Sequence, residues 1–518
     1  MSHESSSGQF RASLGIDPAQ PVDDTSSVYS VVGCGLIRPA ASEKFSGTTL
    51  TSSPLWMVPN PKDANVYVLD AAGSAYTIND SFTSLTALSD GGSLSNGIGN
   101  GEEYTDNYMY FAKNTDICRY GPLNGTPGFD GSYWVTTLGM SALVHTTYPT
   151  DYKSSLRYPN HVMHRHSDGT LYIADVVGNK GALHTISTSF TSAEGDTNNG
   201  STYYKLTFGY GLWPTALESY QGDLAIALYE GSAANVKQAR AKLAFWDTTS
   251  TNFNKIIWVD FPDQIITAMK SVNGILYVVS GNINSEGFRV TRFAGGYSFQ
   301  EVMYSETGEP TFAGAIDGGL NRLILGGYTT IPESDGCVYA LGLQKDAMGG
   351  GKFNIMRATG GNSSTNVTAL CLADNSDFSF NVPVIGWTQA GDGSAGVSHG
   401  FDKQGQTYNG APSVFWSDPY SIGQPFKITK IRIPLATQME SGVTITAKIY
   451  VDNGLTTYTL TEFNNTNDNA QRNLIRRSDS SGVAPVGQHD FFVELKFTGS
   501  TLATIGMPIQ IDWEPIRD

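Results

Sequence analysis

A repeated unit runs through roughly the first four-fifths of the chain and constrains its fold more than any other feature. Each copy combines a polar turn containing Asp, Asn or Gly with an alternating β-rich segment, a glycine and a second such segment. The clearest copies are Asn65-Val-Tyr-Val-Leu, Asn107-Tyr-Met-Tyr-Phe, Asp168-Gly-Thr-Leu-Tyr-Ile-Ala, Gly222-Asp-Leu-Ala-Ile-Ala, Asn273-Gly-Ile-Leu-Tyr-Val-Val and Asn321-Arg-Leu-Ile-Leu-Gly. They recur about every 40–60 residues, near the length of one four-stranded propeller blade.

Six clear copies and a degenerate one, from Val367 to Trp387, predict an all-β fold with a six- or seven-bladed β-propeller over residues 49–405. The segments Trp213-Pro-Thr-Ala-Leu and Ile265-Ile-Thr-Ala-Met are expected to be innermost strands, since small residues fit near a crowded axis. A stack of β-sandwiches with the same hairpin signals is the alternative.

The pattern changes after His399. Residues 400–412 form a polar, glycine-containing linker, and the strands beyond it, beginning with Phe426-Lys-Ile-Thr-Lys-Ile-Arg-Ile, alternate apolar and polar residues. This pattern predicts a β-sandwich or jelly roll over residues 406–518. Residues 1–48, rich in Ser, Pro and Asp, are predicted to be an extended N-terminal arm.

Charge and composition exclude several function classes. The net charge of −16 and the absence of a basic run disfavour binding to nucleic acid through its phosphates and docking on anionic lipid. Residues 1–20 lack the pattern of a secretory signal, and no apolar run is long enough for a membrane span. The four cysteines Cys34, Cys118, Cys337 and Cys371 form no C-x-x-C pair, so we expect small core residues and no cofactor.

Several segments together resemble a known group of proteins. They are Asp168-Gly-Thr-Leu-Tyr-Ile-Ala-Asp, Thr215-Ala-Leu-Glu-Ser-Tyr-Gln-Gly-Asp-Leu-Ala-Ile-Ala, Ala244-Phe-Trp-Asp, Val272-Asn-Gly-Ile-Leu-Tyr-Val-Val and Ile428-Thr-Lys-Ile-Arg-Ile-Pro-Leu. The chain resembles propeller-plus-sandwich structural proteins of tailed bacteriophages, a group that includes tail nozzle and tail-tip proteins. The resemblance implies a virion component without enzyme activity, made in the host cytoplasm and released by lysis.

Three histidines in one short segment are the first candidates for chemistry. In a strand, His164 and His166 would share one face and His161 would lie on the other. Two imidazoles could hold a metal if a further ligand came from elsewhere, but a surface strand before a hairpin explains the cluster equally. We therefore predict no metal site.

A propeller glycosidase would need carboxylates that converge at the axis. Asp175, Asp247 and Asp317 stand at strand ends and are candidates, although such residues also cap turns by accepting hydrogen bonds from backbone amides. No nucleotide-binding loop or nucleophile motif is present in the sequence. We predict no catalytic residues.

Aromatic residues could stack on sugars if a rim presented them. The candidates are Trp134, Tyr210, Trp213, Trp387 and Trp416, most of which are expected to pack between blades.

The sequence thus predicts a non-enzymatic structural component of a phage tail or other virion appendage. Its expected partners are further copies of itself and other virion proteins, contacted through the arm and through strand edges near Phe426–Leu435. A receptor- or glycan-binding tail-tip adhesin and a propeller glycoside hydrolase are the alternatives.

Overall fold

A computed structural model of the chain describes most of the predicted strands. The residues described are 30–32, 42–44, 50, 52–60, 65–88, 101–103, 107–112, 115–143, 161–177, 180–187, 193–194, 204–230, 239–250, 256–282, 287–305, 311, 313–319, 322–327, 337–344, 347–354, 365–374, 381–389, 398–404, 413–416, 420–435, 442–464, 468, 473–498 and 510–516.

The chain forms two compact units. The ring unit comprises residues 44–336 and 357–403, and the two-sheet unit comprises residues 1–43, 337–356 and 404–518. The division after Lys403 lies beside the predicted boundary at 405. Residues 337–356, which the repeat pattern assigns to the propeller, instead cluster with the C-terminal residues.

The strands follow one another with few helical residues between them. Up to residue 260 they are β1 (Ser30–Val32), β2 (Ser42–Lys44), β3 (Pro54–Pro59), β4 (Val66–Asp70), β5 (Ala75–Ile78), β6 (Leu85–Ala87), β7 (Gly101–Glu103), β8 (Met109–Ala112), β9 (Ile117–Gly121), β10 (Gly128–Asp130), β11 (Met163–Arg165), β12 (Leu171–Val177), β13 (Lys180–Ile186), β14 (Ala193–Glu194), β15 (Leu206–Tyr210), β16 (Leu212–Tyr220), β17 (Asp223–Glu230), β18 (Arg240–Trp246) and β19 (Ile257–Asp260). A short π-helical segment, Tyr133–Thr137, follows β10.

The remaining strands are β20 (Ile265–Val272), β21 (Ile275–Gly281), β22 (Phe288–Phe293), β23 (Phe299–Ser305), β24 (Ile316–Gly319), β25 (Arg322–Gly326), β26 (Cys337–Gln344), β27 (Ala347–Asn354), β28 (Thr365–Ala373), β29 (Val382–Gln389), β30 (Ser398–Gln404), β31 (Ser413–Trp416), β32 (Tyr420–Ser421), β33 (Phe426–Pro434), β34 (Thr444–Val451), β35 (Thr456–Thr459), β36 (Phe463–Asn464), β37 (Asn473–Arg476), β38 (Val486–Gly487), β39 (Asp490–Thr498) and β40 (Gln510–Pro515). Among the described residues, no helix is long and apolar enough to cross a membrane.

Hairpin turns in the ring unit form where the sequence predicts them. Asn273 and Gly274 have φ values of 51° and 78° between β20 and β21, as a tight type I′ turn requires. The Asp168 carboxylate accepts a hydrogen bond from the Thr170 amide at 2.8 Å and another from the Tyr172 hydroxyl at 2.9 Å. Asp70 supports the corresponding turn of the first sheet through the amides of residues 72 and 74.

Within the ring unit the strands pair antiparallel in groups that follow one another along the chain: β3–β6, β7–β10, β11–β15, β16–β19, β20–β23, β24 with β25, and β28–β30. Their first strands contact one another in a closed order, β3, β7, β11, β16, β20, β24, β28 and again β3. This circular order is the arrangement of a β-propeller, and the predicted all-β class is confirmed.

Two antiparallel sheets form the main part of the two-sheet unit. One has the order β1-β31-β39-β34-β35, with β32 beside β39 and β36 beside β34; in the other, β33 pairs with β37, β38 and β40. The sheets share one hydrophobic core, to which both contribute alternate residues. In β34 the predicted alternation is confirmed, since Ile445, Ala447, Ile449 and Val451 are buried and the residues between them are partly exposed.

Two predicted assembly elements take definite positions. β33 pairs with β37 and β38 on one side and with β40 on the other, so it is an interior strand. The prediction of an open edge near Phe426–Leu435 is therefore wrong. From the N-terminal arm, β1 forms an edge strand beside β31.

Candidate functional site

Equivalent positions on consecutive inner strands carry polar residues in the ring unit. In β16, β20 and β28 a bulged threonine precedes Ala and an apolar residue, and the next residues are Glu218, Lys270 and Cys371. An extra residue in one strand redirects the side chains that follow it. The repeat thus places a side chain of variable chemistry at the same point of these three inner strands.

Glu218 and Lys270 interact electrostatically, and each has a further partner on a neighbouring inner strand, His164 and Asp317 respectively; we call these four side chains the polar arc. His164 Nε2 lies 3.9 Å from Glu218 Oε1, and Lys270 Nζ lies 3.0 Å from Asp317 Oδ1. Backbone amides hold the carboxylates in place, since Glu218 accepts from the Ser219 amide at 3.0 Å and Asp317 from the Leu372 amide at 2.7 Å. The arc therefore spans four neighbouring strands and is anchored to a fifth.

Burial shifts the ionisation of two members of the polar arc. It raises the pKa of Glu218 to about 7, although Lys270 and the backbone amides act in the opposite direction. It lowers the pKa of His164 to about 3, with smaller electrostatic contributions from Lys270, His166 and Arg165. Near neutral pH the imidazole of His164 is therefore uncharged, and Glu218 holds its proton more readily than an exposed carboxyl group does.

A serine connects two of the histidines beside the polar arc. Ser219 Oγ lies 2.8 Å from His164 Nε2 and 2.9 Å from His166 Nδ1, while His166 Nε2 lies 3.1 Å from the Gly222 carbonyl oxygen. Because a carbonyl only accepts, His166 carries its hydrogen on Nε2, and its Nδ1 accepts from the Ser219 hydroxyl. The His164 Nε2–H then donates to Ser219 Oγ. This order of donors and acceptors ties β11 and the turn after it to β16.

A cavity of about 120 Å³ lies beside the polar arc. His164, Glu218 and Lys270 line it together with Thr215, Thr267 and Trp56, and Met163, Leu217 and Met269 contribute apolar surface. All of these residues belong to the ring unit.

The three histidines of the sequence cluster separate as strand geometry predicts. His164 and His166 both contact Ser219, whereas His161 Nδ1 lies 3.6 Å from Asp175 Oδ1 in a buried group. Within the described part of the chain, no group of three or more His, Cys, Asp or Glu residues is placed to hold a metal ion.

The three carboxylate candidates do not come together. Asp175 is buried and lies 3.0 Å from His184 Nε2, and Asp247 accepts hydrogen bonds from the amides of residues 249 and 250 in an exposed turn. Only Asp317 belongs to the polar arc. The turn-capping interpretation is therefore confirmed for Asp247.

Most aromatic candidates for sugar stacking are buried. Trp134, Trp213 and Trp387 are at most 2 % exposed and pack inside the ring unit, as expected for blade packing. Tyr210 is 72 % exposed, and its ring lies 4.6 Å from Lys180 Nζ. The side chain of Trp416 lies outside the described residues.

The cysteine prediction is testable at two positions. Cys118 and Cys371 are buried, as predicted, and burial raises the pKa of the Cys371 thiol. Cys34 and the side chain of Cys337 lie outside the described residues.

Sequence reasoning missed Glu218, Lys270 and Ser219 as members of a site. The signal that could have found them is the position after Thr-Ala-Leu or Thr-Ala-Met, where an innermost strand otherwise composed of small and apolar residues carries a charge. Comparing that position between repeats isolates Glu218 and Lys270 at once.

No family model matches the chain, and no curated protein matches it. Among solved structures, it is similar to the WD40 repeats of RRP9, with 10 % identity, a TM-score of 0.41, and coverage of 72 % of this chain and 99 % of the other. It is also similar to the Pan2 WD40 domain of Neurospora crassa, with 10 % identity, a TM-score of 0.37, and coverage of 68 % of this chain and 89 % of the other. A third similar structure is an exo-beta-1,3-galactanase from Phanerochaete chrysosporium, solved with galactose. It has 10 % identity and a TM-score of 0.28, with coverage of 68 % of this chain and 95 % of the other.

Proposed function

We propose that this chain is a structural component of a phage tail or other virion appendage, without enzyme activity. It assembles with further copies of itself and with other virion proteins, and is made in the host cytoplasm and released by lysis. In this proposal the ring unit is a seven-bladed propeller, which provides a rigid body, and the two-sheet unit is a β-sandwich, which provides the assembly contacts.

The observation that carries the proposal is the position of β1. This strand comes from the predicted N-terminal arm and pairs antiparallel with β31 at the register Ser30–Trp416, Val31–Phe415 and Val32–Val414. β31 in turn pairs with β39, so β1 extends an existing sheet by strand addition. A strand that lies within an arm and forms only three residue pairs can be donated to a second copy at little cost.

The surfaces of the two sheets favour contacts through edges over contacts through faces. The outer face of the sheet containing β33 carries compensated charges, with Lys430 Nζ 2.5 Å from Asp512 and Lys427 Nζ 3.8 Å from Glu514. On the other sheet Lys448 Nζ lies 3.3 Å from Glu494. Paired, hydrated charges resist burial against a partner, whereas an open strand edge offers unpaired backbone groups.

The experiment is to compare the assembly of the full chain with that of a strand variant. Val31→Pro and Val32→Pro each remove one backbone N–H group. Since alternate residues of an antiparallel strand bond to the neighbouring strand, one of the two variants removes a hydrogen bond to β31. We expect the full chain to form closed oligomers and at least one proline variant to remain monomeric with an intact ring unit. Val31→Thr keeps the amide and is the matched control. Oligomers of equal size from all four proteins would contradict the proposal.

A further inference from the structure

Two buried polar atoms beside the cavity of the ring unit have no hydrogen-bond partner among the described residues. They are Nε1 of Trp56, which only donates, and Oγ1 of Thr267, a residue that is fully buried. Both residues line the cavity. Neither atom is exposed to the cavity, so the polar groups that an occupant can contact are the more exposed side chains of Lys270, Glu218 and His164.

The size of the cavity limits the occupant. A single water molecule needs roughly 10–15 Å³ of cavity volume, and this cavity has a volume of about 120 Å³. There is accordingly room for a molecule of about ten non-hydrogen atoms. This is the size of a monosaccharide or a related small polyol.

The lining offers donors and acceptors in mixed order. The Lys270 ammonium donates, and the Glu218 carboxyl group and the imidazole of His164 can accept. Hydroxyl groups can satisfy every one of these atoms, because each hydroxyl donates once and also accepts. Met163, Leu217 and Met269 supply apolar surface for the C–H groups of such a molecule.

The charges of the polar arc disfavour ionic occupants. Asp317 compensates Lys270 at 3.0 Å, so an anion in the cavity would lie beside the Glu218 carboxyl group without a surplus positive charge. A cation would lie beside the Lys270 ammonium. A neutral ligand is repelled neither by the carboxyl group nor by the ammonium group.

We propose that this cavity binds a neutral polyhydroxylated ligand of monosaccharide size. Two residues of the lining, Lys270 and His164, have side chains that are 35 % and 16 % exposed, so this part of the lining is in contact with solvent. The inference is independent of the proposed assembly, which involves the two-sheet unit.

The test measures ligand binding to the full chain by saturation-transfer NMR and calorimetry. The probes are glucose, galactose, mannose, N-acetylglucosamine and glycerol at millimolar concentrations, with acetate and methylammonium as charged comparisons. We expect at least one polyol to bind and neither ion to compete with it. Binding of an ion alone, or of no polyol, would overturn the inference; the second result would mean that water fills the cavity.

A matched pair of variants locates the site. Lys270 and Lys448 are each paired with one carboxylate and are 35 % and 34 % exposed, but only Lys270 lines the cavity. Lys270→Met should weaken polyol binding about fivefold to tenfold, the worth of one hydrogen bond, and Lys448→Met should leave it unchanged. Equal weakening by the two variants would contradict this location.

Discussion

The ammonium nitrogen of Lys270 lies 3.0 Å from Oδ1 of Asp317, across two neighbouring inner strands of the ring unit. Asp317 also accepts hydrogen bonds at 2.7 Å from the amides of Gly318 and Leu372, the latter on the next inner strand. One carboxylate thus connects β20, β24 and β28, and Lys270 supplies the charge that makes its burial tolerable.

Replacing Lys270 should destabilise the ring unit. In Lys270→Met the partly buried carboxylates of Asp317 and Glu218 lose their common cation, and we expect the free energy of unfolding to fall by about 1–3 kcal/mol. Urea unfolding followed by tryptophan fluorescence measures the change. Lys242→Met is the control, because the partners of Lys242, Glu230 at 3.2 Å and Asp260 at 3.3 Å, are far more exposed than Asp317; this variant should lose less than about 1 kcal/mol. Equal losses would show that the polar arc is no more stabilising than a surface pair.

Glu218 should make stability fall as the pH rises. Its pKa is raised from 4.5 when unfolded to about 7 when folded, so between these values the folded state holds a proton that the unfolded state has released. The stabilisation that protonated Glu218 contributes is fully present below pH 4.5 and is lost as the pH rises to about 7. Relative to the unmodified chain, Glu218→Gln should gain about 3 kcal/mol between pH 4.5 and pH 8. A constant difference across that range would contradict the raised pKa.

His164 should act in the opposite direction at lower pH. Its pKa is lowered from 6.5 to about 3, so between these values the unfolded state binds a proton that the folded state does not bind. The free energy of unfolding therefore decreases as the pH falls from 6.5 towards 3. His164→Gln keeps a donor towards Ser219 and should remove about 3–5 kcal/mol of this acid sensitivity. Unfolding midpoints measured from pH 3 to pH 7 test the expectation. The Glu218→Gln protein should remain sensitive to acid. If this variant also lost its acid sensitivity, the effect would not come from His164.

Local features of the sequence were sufficient to predict the hairpins. The Asn273-Gly274 turn depends on two adjacent residues, and the alternation in β34 on one residue in two, so each can be recognised without knowledge of the fold. The interior position of β33 depends on pairing with β37 and β40, which lie far along the chain. Alternation shows which face of a strand is buried and not how many neighbours it has.

The candidate site could be predicted only in part for the same reason. His164 and Asp317 are visible as polar residues near strand ends, but their relationship depends on Glu218 and Lys270, which stand in other repeats. His164 and Ser219, for instance, are 55 positions apart and meet only because adjacent sheets pack face to face. Contacts of this kind follow from the closure of the ring and not from any local pattern.

The most direct test of the proposed function is electron microscopy of the purified full chain. We predict closed rings of one defined copy number, in which residues 30–32 of one copy extend the sheet of the next copy along its 413–416 strand. The proline variants at Val31 and Val32 should identify this strand by abolishing the rings. A monodisperse monomer from the unmodified chain, or rings in which residues 30–32 make no contact between copies, would contradict the account.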